Sequence, residues 1–356
     1  MSRSDPIVIV GAARTPMGGF QGSLSAVPAP ELGGTAIRAA LERAGLSSDD
    51  VDENIMGVVL PAGLGQAPAR QAGHHAGLGW DKPATTVNKM CGSGMKATML
   101  AHDAIAAGVN DIMIAGGMES MSNAPYLLPK ARGGLRMGHG EVKDHMFLDG
   151  LEDAYDTGRL MGTFAEDTAR HYQFTREAQD AFAIASLNRA RKATEDGSFA
   201  GEITPFTVRD RKGETIVDSD EQPFNANIDK IPTLRPAFAK DGSVTAANSS
   251  SISDGGAALV LMRLSEAEKR GQRPLAIIRG HATHAQEPPR LAPCRSCWSG
   301  WDGMREMSTF MKSTRPSPWS PWRRCAISTC RTTRSIFMAV PVHWGILSAL
   351  PVPAFW

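Results

Sequence analysis

The sequence has little that would indicate a secreted, membrane or nucleic-acid-binding protein. It has five cysteines in 356 residues, an odd number that argues against a disulfide framework and favours a reducing, cytoplasmic location. No apolar run approaches the roughly 18 residues that a membrane span needs, and residues 1–6 lack a signal-peptide pattern. Lys and Arg total 38 against 37 acidic residues, so we expect neither nucleic acid nor a membrane as a partner.

What is present is a chain long and apolar enough for two domains, with a change of composition near residue 290. Residues 291–356 contain six of the seven tryptophans and four of the five cysteines. They carry eight basic and two acidic residues, whereas the first 290 residues have a net charge of −5. No helical or strand periodicity follows residue 288.

The first 120 residues alternate apolar runs typical of strands with stretches of helical spacing. We expect strands at 7–10, 55–60, 85–90 and 111–115 and helices at 31–44 and 95–107. Gly11 and Gly116 are interpreted as ends of strands. The alternation predicts an α/β fold with a parallel sheet covered on both faces. Residues 119–247 form a long excursion with helices at 164–171 and 176–194, and strands return at 257–262 and 275–278.

Cys91 is the strongest candidate for a catalytic residue. Residues 88–94 read Asn-Lys-Met-Cys-Gly-Ser-Gly, between a predicted strand and a predicted helix. The positive end of the helix dipole and the unpaired backbone N–H groups favour the thiolate, and those N–H groups are placed to stabilise an oxyanion. A buried, unreactive cysteine is the alternative. The flanking glycines and the sharp turn favour the nucleophile.

This segment resembles the nucleophile motif of the thiolases, which are acyltransferases that use coenzyme A. Four more segments resemble motifs of that family, and the match runs in order from about Ile7 to Glu287: residues 14–22, 116–122, 234–238 and 245–250. The resemblance implies a layered αβαβα thiolase fold with mixed sheets and an inserted loop domain. It places the N-terminal domain at 5–270, with the loop domain at about 120–248, and the start of a C-terminal domain at 271–356.

The resemblance also implies roles for individual residues. Cys91 would carry the acyl group as a thioester, and a second set of residues would line the channel for CoA: Leu151, Met161, Phe238, Ala246 and Ser250. Phe238 and Leu151 are equally consistent with core positions. Leu160 departs from the pattern, because biosynthetic thiolases often have His there.

The implied reaction condenses two acetyl-CoA molecules to acetoacetyl-CoA plus CoA, with reverse thiolysis, and needs no metal or redox cofactor. Acetyl-CoA and acetoacetyl-CoA would be the partners, and the intact enzyme would be a homodimer or homotetramer. A degradative 3-ketoacyl-CoA thiolase is the alternative within the family. An acyl-CoA-binding remnant without turnover is the alternative outside it.

The remnant is considered because half of the family's catalytic residues are missing. Thiolases use an Asn in Asn-Glu-Ala-Phe, a His in Gly-His-Pro and a second Cys in Cys-x-Gly-Gly-Gly. None of these motifs occurs after Glu287. We expect the C-terminal half-domain to be incomplete or disordered as written, and the chain to be inactive.

A change of reading frame accounts for this loss. In the shifted frame, each codon consists of the third base of one codon and the first two bases of the next. The codons of Met311 and Lys312 then must encode Glu, and those of residues 312–319 can encode Val-Asn-Glu-Ala-Phe-Ala-Val. Over residues 337–356 the same shift permits a segment containing Cys-Ala-Leu-Gly-His-Pro. Several of its positions have no codon freedom and still agree with the family. We therefore place the change of frame at about residues 288–294.

The sequence shows no spacing typical of a metal site, and we expect none. Six of the nine histidines are scattered along the chain without such spacing, at His74, His75, His102, His139, His145 and His171. Four tail cysteines have spacings outside the usual zinc motifs: Cys294, Cys297, Cys325 and Cys330. A zinc-binding tail that acts as an interaction module remains a third alternative.

Overall fold

A computed structural model describes residues 5–211, 213–283 and 285. Most of the predicted C-terminal half-domain, the change of frame and the four tail cysteines lie outside these residues. Among the residues described, no helix is both long and apolar enough to cross a membrane.

The described chain forms eleven strands and seven helices, with short 3₁₀ and π turns between them. The strands are β1 Ile7–Arg14, β2 Gly18–Gly19, β3 Glu53–Gly57, β4 Ala84–Val87, β5 Ile112–Ser120, β6 Tyr126–Leu127, β7 Lys143–Asp144, β8 Phe206–Asp210, β9 Gly213–Val217, β10 Ser253–Arg263 and β11 Ala276–Ile277. The helices are α1 Ala29–Ala44, α2 Pro68–Ala76, α3 Ser93–Ala107, α4 Met161–His171, α5 Arg176–Glu195, α6 Gln222–Asn225 and α7 Leu264–Lys269.

One seven-stranded sheet organises the fold, in the order β11-β1-β10-β5-β3-β4, with β2 paired to β10. The expected α/β class and the mixed sheet implied by the resemblance are confirmed, whereas the parallel sheet predicted from strand–helix alternation describes only part of it. Strands β5, β3 and β4 pair in parallel, while β10 pairs antiparallel with both β1 and β5. The antiparallel strand comes from residues that follow the long excursion, which strand–helix alternation in the first 120 residues does not reveal.

The two faces of the sheet are both covered, as expected. Helices α1 and α2 pack on one face, where Ile37, Leu41 and Ala72 join the apolar side chains of β1, β5 and β10. Helix α3 covers the opposite face through Ala97, Ala101 and Ile105. Both faces are therefore apolar, which agrees with the nearly continuous burial of β1, β5 and β10.

The glycines that predicted strand ends instead lie inside strands. Strand β1 continues through Gly11 to Arg14, and β5 continues through Gly116 to Ser120. A Cβ on Gly11 would lie 2.3 Å from the carbonyl oxygen of Ala40 in α1, and a Cβ on Gly116 would lie 2.1 Å from that of Ala257 in β10. These glycines mark close approach of neighbouring backbone, which is the other meaning of a glycine in a strand.

A buried ion-pair cluster ties the excursion to β1. Arg14 is fully buried, and its guanidinium donates to both carboxylate oxygens of Asp220 at 2.7 and 2.9 Å. Its Nε donates to Glu202 at 2.8 Å. Asp220 also accepts from the backbone N–H of Met17 at 2.9 Å. One arginine thus forms ion pairs with two buried carboxylates from distant parts of the chain.

We expect Arg14→Met to destabilise the protein by about 3–5 kcal/mol, because it leaves two buried carboxylates without their cation. The matched control is Arg209→Met, which removes an exposed ion pair with Glu214 and should cost no more than about 1 kcal/mol. Urea denaturation followed by circular dichroism measures both free energies of unfolding. Equal losses in the two variants would show that the Arg14 cluster does not hold the excursion in place.

Candidate functional site

Cys91 lies where β4 passes into α3, on a tight turn. Met90, just before it, has a positive φ of 49°, which is uncommon for a residue with a side chain. The N–H of Gly92 donates to the carbonyl of Lys89 at 3.1 Å, and the N–H of Ser93 donates to that of Met90 at 3.0 Å. The Ser93 hydroxyl donates to the Met90 carbonyl and accepts the N–H of Lys89. The predicted strand–turn–helix setting of the cysteine is therefore present, and Cys91 is exposed.

Helix α3 begins directly against the sheet because β3 ends in a glycine. A Cβ on Gly57 would lie 2.5 Å from the carbonyl carbon of Ser93. Any larger residue at Gly57 would push the first turn of the helix away from the sheet. The position of Cys91 relative to the strand ends thus depends on a residue in a different strand.

Opposing effects act on the protonation of Cys91. Protein atoms packed around its sulfur reduce hydration of the thiolate, and this raises the pKa of Cys91, although part of the residue is exposed. The backbone N–H of Cys91 lowers the pKa, which is the direction expected for this turn, but the negative charge of Glu119 raises it further. Among the described residues, burial and Glu119 together outweigh the backbone N–H.

Glu119 is the residue that the sequence-based reasoning missed. It lies near the end of β5 and is buried at 2% exposure. Its carboxylate accepts the N–H of Val59 at 2.8 Å and the N–H of Leu60 at 3.2 Å. Burial raises the pKa of Glu119 to about 7, with Asp254 contributing in the same direction. The Gly-Gly-Met-Glu-Ser segment, which carries part of the resemblance, is the place where the sequence could have indicated Glu119.

A chain of hydrogen bonds connects Glu119 to the cysteine turn. Glu119 holds the N–H of Val59, and the Val59 carbonyl accepts the side-chain amide of Asn88 at 3.2 Å. The Asn88 carbonyl oxygen accepts the N–H of Met90 at 2.9 Å. Met90 precedes Cys91, so the carboxylate in β5 is linked to the turn by three successive hydrogen bonds. Glu119 is therefore a positioning residue as well as a charge near the thiol.

Three of the predicted CoA-lining residues lie close together near the start of α4. Glu152 forms an antiparallel bridge with Leu160, which brings Leu151 towards Met161. The Phe238 ring packs on Gly162, where a Cβ would lie 2.3 Å from a ring carbon. Leu151, Met161 and Phe238 are all partly exposed, so none is a fully buried core residue.

Glu166 holds the segment just before Ala246 against the same helix, while Ser250 lies further along the chain. Glu166 is buried in α4 and accepts the N–H groups of Ser243 and Val244 at 2.9 and 2.8 Å. Val244 precedes the exposed Ala246 by two residues, and Ser250 is exposed just before β10. The exposed positions of these two small residues are compatible with contact to a ligand.

Leu60 connects this group with the cysteine side of the site. Its N–H is held by Glu119, while its side chain shares a cluster with Met146 and the partly buried Leu151. His145, which the sequence left without a role, is buried, and its Nε2 accepts the N–H of Ala62 at 3.3 Å. Its Nδ1 pairs with Asp149 at 2.6 Å, so it fixes the turn that carries Leu151.

Comparison with known proteins identifies the family. Residues 7–265 match the model described as thiolase, N-terminal domain. The chain belongs to the thiolase family. Among curated thiolases, Acetyl-CoA acetyltransferase of Pseudomonas aeruginosa is 51% identical over 284 residues, which are 79% of this chain and 72% of that protein. Acetyl-CoA acetyltransferase of Cupriavidus necator is 49% identical over 317 residues, 88% of this chain and 78% of that one.

A solved thiolase structure is similar in fold. Acetyl-CoA acetyltransferase from Syntrophomonas wolfei matches with a TM-score of 0.74 at 42% identity, covering 78% of this chain and 69% of that one. The thiolase fold expected from the motifs is confirmed. The division at residues 270 and 271, the loop-domain limits and the individual site residues stay predictions.

We expect Glu119→Gln to lower the pKa of Cys91 by removing a negative charge beside the thiol. The carboxyl of Glu119, with its pKa of about 7, is protonated below that pH and ionised above it. The variant should therefore react with neutral iodoacetamide at nearly the wild-type rate below pH 7 and faster than wild type at pH 8–9. Mass spectrometry of the Cys91 peptide separates this thiol from the tail cysteines.

Glu166→Gln is the matched control, because Glu166 is also a buried carboxylate that accepts two backbone N–H groups. It should leave the pH profile of Cys91 alkylation unchanged. A Glu119→Gln profile that coincides with wild type at every pH would contradict the electrostatic influence of Glu119 on the thiol.

Proposed function

We propose that this thiolase chain is an acyltransferase that condenses two acetyl-CoA molecules to acetoacetyl-CoA plus CoA, and catalyses the reverse thiolysis. The observation that carries the proposal is the position of Cys91, an exposed residue on the turn between β4 and α3. Curated relatives about half identical over most of the chain are named Acetyl-CoA acetyltransferase, which supports this reaction over the alternatives.

The proposed reaction has two covalent steps. The Cys91 sulfur attacks the carbonyl carbon of acetyl-CoA, a thioester forms on Cys91, and CoA leaves as a thiol with the proton taken from the cysteine. The α-carbon of a second acetyl-CoA then loses a proton and attacks this thioester. Acetoacetyl-CoA is released, and the Cys91 thiol is restored. Backbone N–H groups near the start of α3 stabilise the developing oxyanion.

We propose that CoA lies along α4, in contact with the five residues predicted for it: Leu151, Met161, Phe238, Ala246 and Ser250. Their partial or full exposure supports this assignment. Leu60 lies in contact with Leu151 and is held by the carboxylate of Glu119. The pantetheine arm would therefore reach Cys91 along the side of the sheet where Leu60 lies.

The chain as printed lacks the base that this chemistry needs. The raised pKa of Cys91 leaves the thiol neutral near pH 7, so acylation must be slow without a nearby His. No Gly-His-Pro or Cys-x-Gly-Gly-Gly motif follows residue 287. We therefore propose that the thiolase reading frame is lost at about residues 288–294, and that the printed chain binds acyl-CoA without turnover. Sequencing the gene across codons 286–297 tests the change of frame.

The remaining parts of the proposal concern the intact enzyme. It would act in the cytoplasm, as a homodimer or homotetramer, with CoA thioesters as substrates and with no metal or redox cofactor in the reaction. These assignments rest on the family and on the composition of the chain. Chain-length preference separates this enzyme from a degradative thiolase.

The test compares the printed chain, which is the protein of 356 residues with the present tail, with a restored chain in which the thiolase reading frame continues past residue 288. After incubation with acetyl-CoA, the printed chain should show an acetyl group on the Cys91 peptide by mass spectrometry and no release of acetoacetyl-CoA. The restored chain should turn over, because it regains the His and the second Cys. Cys91→Ala in the restored chain should lower turnover by at least about 1,000-fold.

Other outcomes decide between the alternatives. Full turnover by the printed chain would disprove the change of frame. Faster thiolysis of a long ketoacyl-CoA than of acetoacetyl-CoA by the restored chain would favour the degradative thiolase. Acetylation confined to tail cysteines would remove Cys91 as the acyl carrier.

A further inference from the structure

A cluster outside the proposed catalytic site contains two histidines and an aspartate. His102 and Asp103 lie on α3, away from its Cys91 end, and His281 lies in the segment that follows β11. His102 and His281 are 179 positions apart in sequence. The spacing of residues in the sequence does not indicate this cluster, because the fold rather than the local sequence brings the two histidines together.

Three ligand atoms of this cluster form a small triangle. Asp103 Oδ1 lies 3.0 Å from His102 Nδ1 and 2.8 Å from His281 Nε2. The two ring nitrogens lie 3.2 Å apart. Adjacent residues on a helix normally point about 100° apart, yet the side chains of His102 and Asp103 turn towards the same point. The rings meet edge to face at 88°, so both nitrogens face the carboxylate oxygen.

Hydrogen bonds account for two of the three edges of this triangle, because each imidazole can donate one N–H to Asp103 Oδ1. The third edge places the two ring nitrogens 3.2 Å apart, and no proton is then left to join them. A cation bound by both nitrogens and the carboxylate would account for all three short distances.

The dimensions of the triangle are close to those of a first-row divalent metal site. Zinc binds imidazole nitrogen at about 2.0–2.1 Å and carboxylate oxygen at about 2.0–2.2 Å, which places neighbouring ligands of a tetrahedral ion about 3.3–3.5 Å apart. The edges of 2.8, 3.0 and 3.2 Å are slightly shorter, so the three side chains would move apart by a few tenths of an ångström on binding. An ion about 1 Å out of the plane of the triangle would therefore reach all three atoms. Two imidazoles and one carboxylate are a ligand set typical of zinc and its neighbours.

The surroundings of the cluster allow access from solvent. The side chains of His102 and His281 are 20% and 18% exposed, and that of Asp103 is 55% exposed. Solvent can therefore supply further ligands to a bound ion.

We propose that His102, Asp103 and His281 form a three-ligand site for a divalent transition-metal ion, of which Zn²⁺ is the best match. The ion ties the segment after β11 to α3. Backbone pairing already holds the start of this segment, since the N–H of Ile278 donates to the carbonyl of Ile7 at 3.0 Å. The metal would fix the next residues of the segment against the helix. Its role is structural and does not depend on acyl transfer.

The test uses the complete chain, stripped of metal with a chelator and titrated with Co²⁺ while the visible ligand-field bands are recorded. We expect one equivalent to bind and Zn²⁺ to displace it. His102→Gln, Asp103→Asn and His281→Gln should each weaken binding by at least about 10-fold, since even residues that only orient metal ligands contribute 10–100-fold. His75→Gln, at an exposed histidine on α2, is the matched control and should bind like wild type.

Two further measurements keep the result unambiguous. Zn²⁺ should raise the melting temperature of wild type and of His75→Gln but not of the three ligand variants, whose metal-free melting temperatures show whether they fold. Replacing the four tail cysteines by Ser should leave Co²⁺ binding unchanged. The proposal would be overturned if the chain failed to bind Co²⁺ or if all variants bound it equally. It would also be overturned if Co²⁺ gave a near-ultraviolet thiolate band that disappears when the tail cysteines are replaced, because the tail would then bind the ion.

Discussion

The geometry of the cysteine turn depends on one buried carboxylate. Glu119 accepts two backbone N–H groups from the segment after β3, and that segment in turn holds the side chain of Asn88. Without an acceptor at this point, the N–H groups of Val59 and Leu60 would lack a partner in a region closed to water, which is costly. The same carboxylate holds the backbone of Leu60, whose side chain packs beside Leu151. The turn that carries Cys91 and the predicted CoA-contacting residue Leu151 therefore both depend on Glu119.

That support also has an electrostatic cost. A carboxylate near Cys91 opposes formation of the thiolate, and its own pKa of about 7 shows that its charge is poorly solvated. Cys91, the proposed nucleophile, is therefore held in place but is not activated by its surroundings within the described residues. Precise placement and activation are separate requirements, and in this chain different parts of the protein would have to supply them.

Much of the fold was predictable because its signals are local. The helical spacing before Gly45, the apolar strands and the turn at Cys91 all follow from neighbouring residues, and the structure has them within a few positions. The sequence failed where distant chain segments meet. Gly11 and Gly116 looked like strand ends because the helix and strand that press on them are remote in sequence. The direction of β10 was hidden for the same reason.

In the site, too, local sequence features were predictable and contacts between distant segments were not. Cys91 was identified from its own segment, but the rise of its pKa comes from packing and from Glu119, which no local pattern reveals. The convergence of His102 and His281 required the sheet to bring β11 beside β1. Residue type and spacing locate a reactive group, whereas its protonation is decided by three-dimensional neighbours.

The pairing of β5 with β10 has a consequence for how such proteins can diversify. The long connection leaves the sheet after Ser120 and returns at Asp254, and these two residues are direct partners in the ladder. Since its two anchor points are fixed side by side, the entropy lost on closing the connection changes only slowly with its length. Insertions or deletions that spare Glu202 and Asp220, the partners of Arg14, would leave the strand register intact. Evolution can therefore remodel other parts of the connection while the turn that carries Cys91 stays in place.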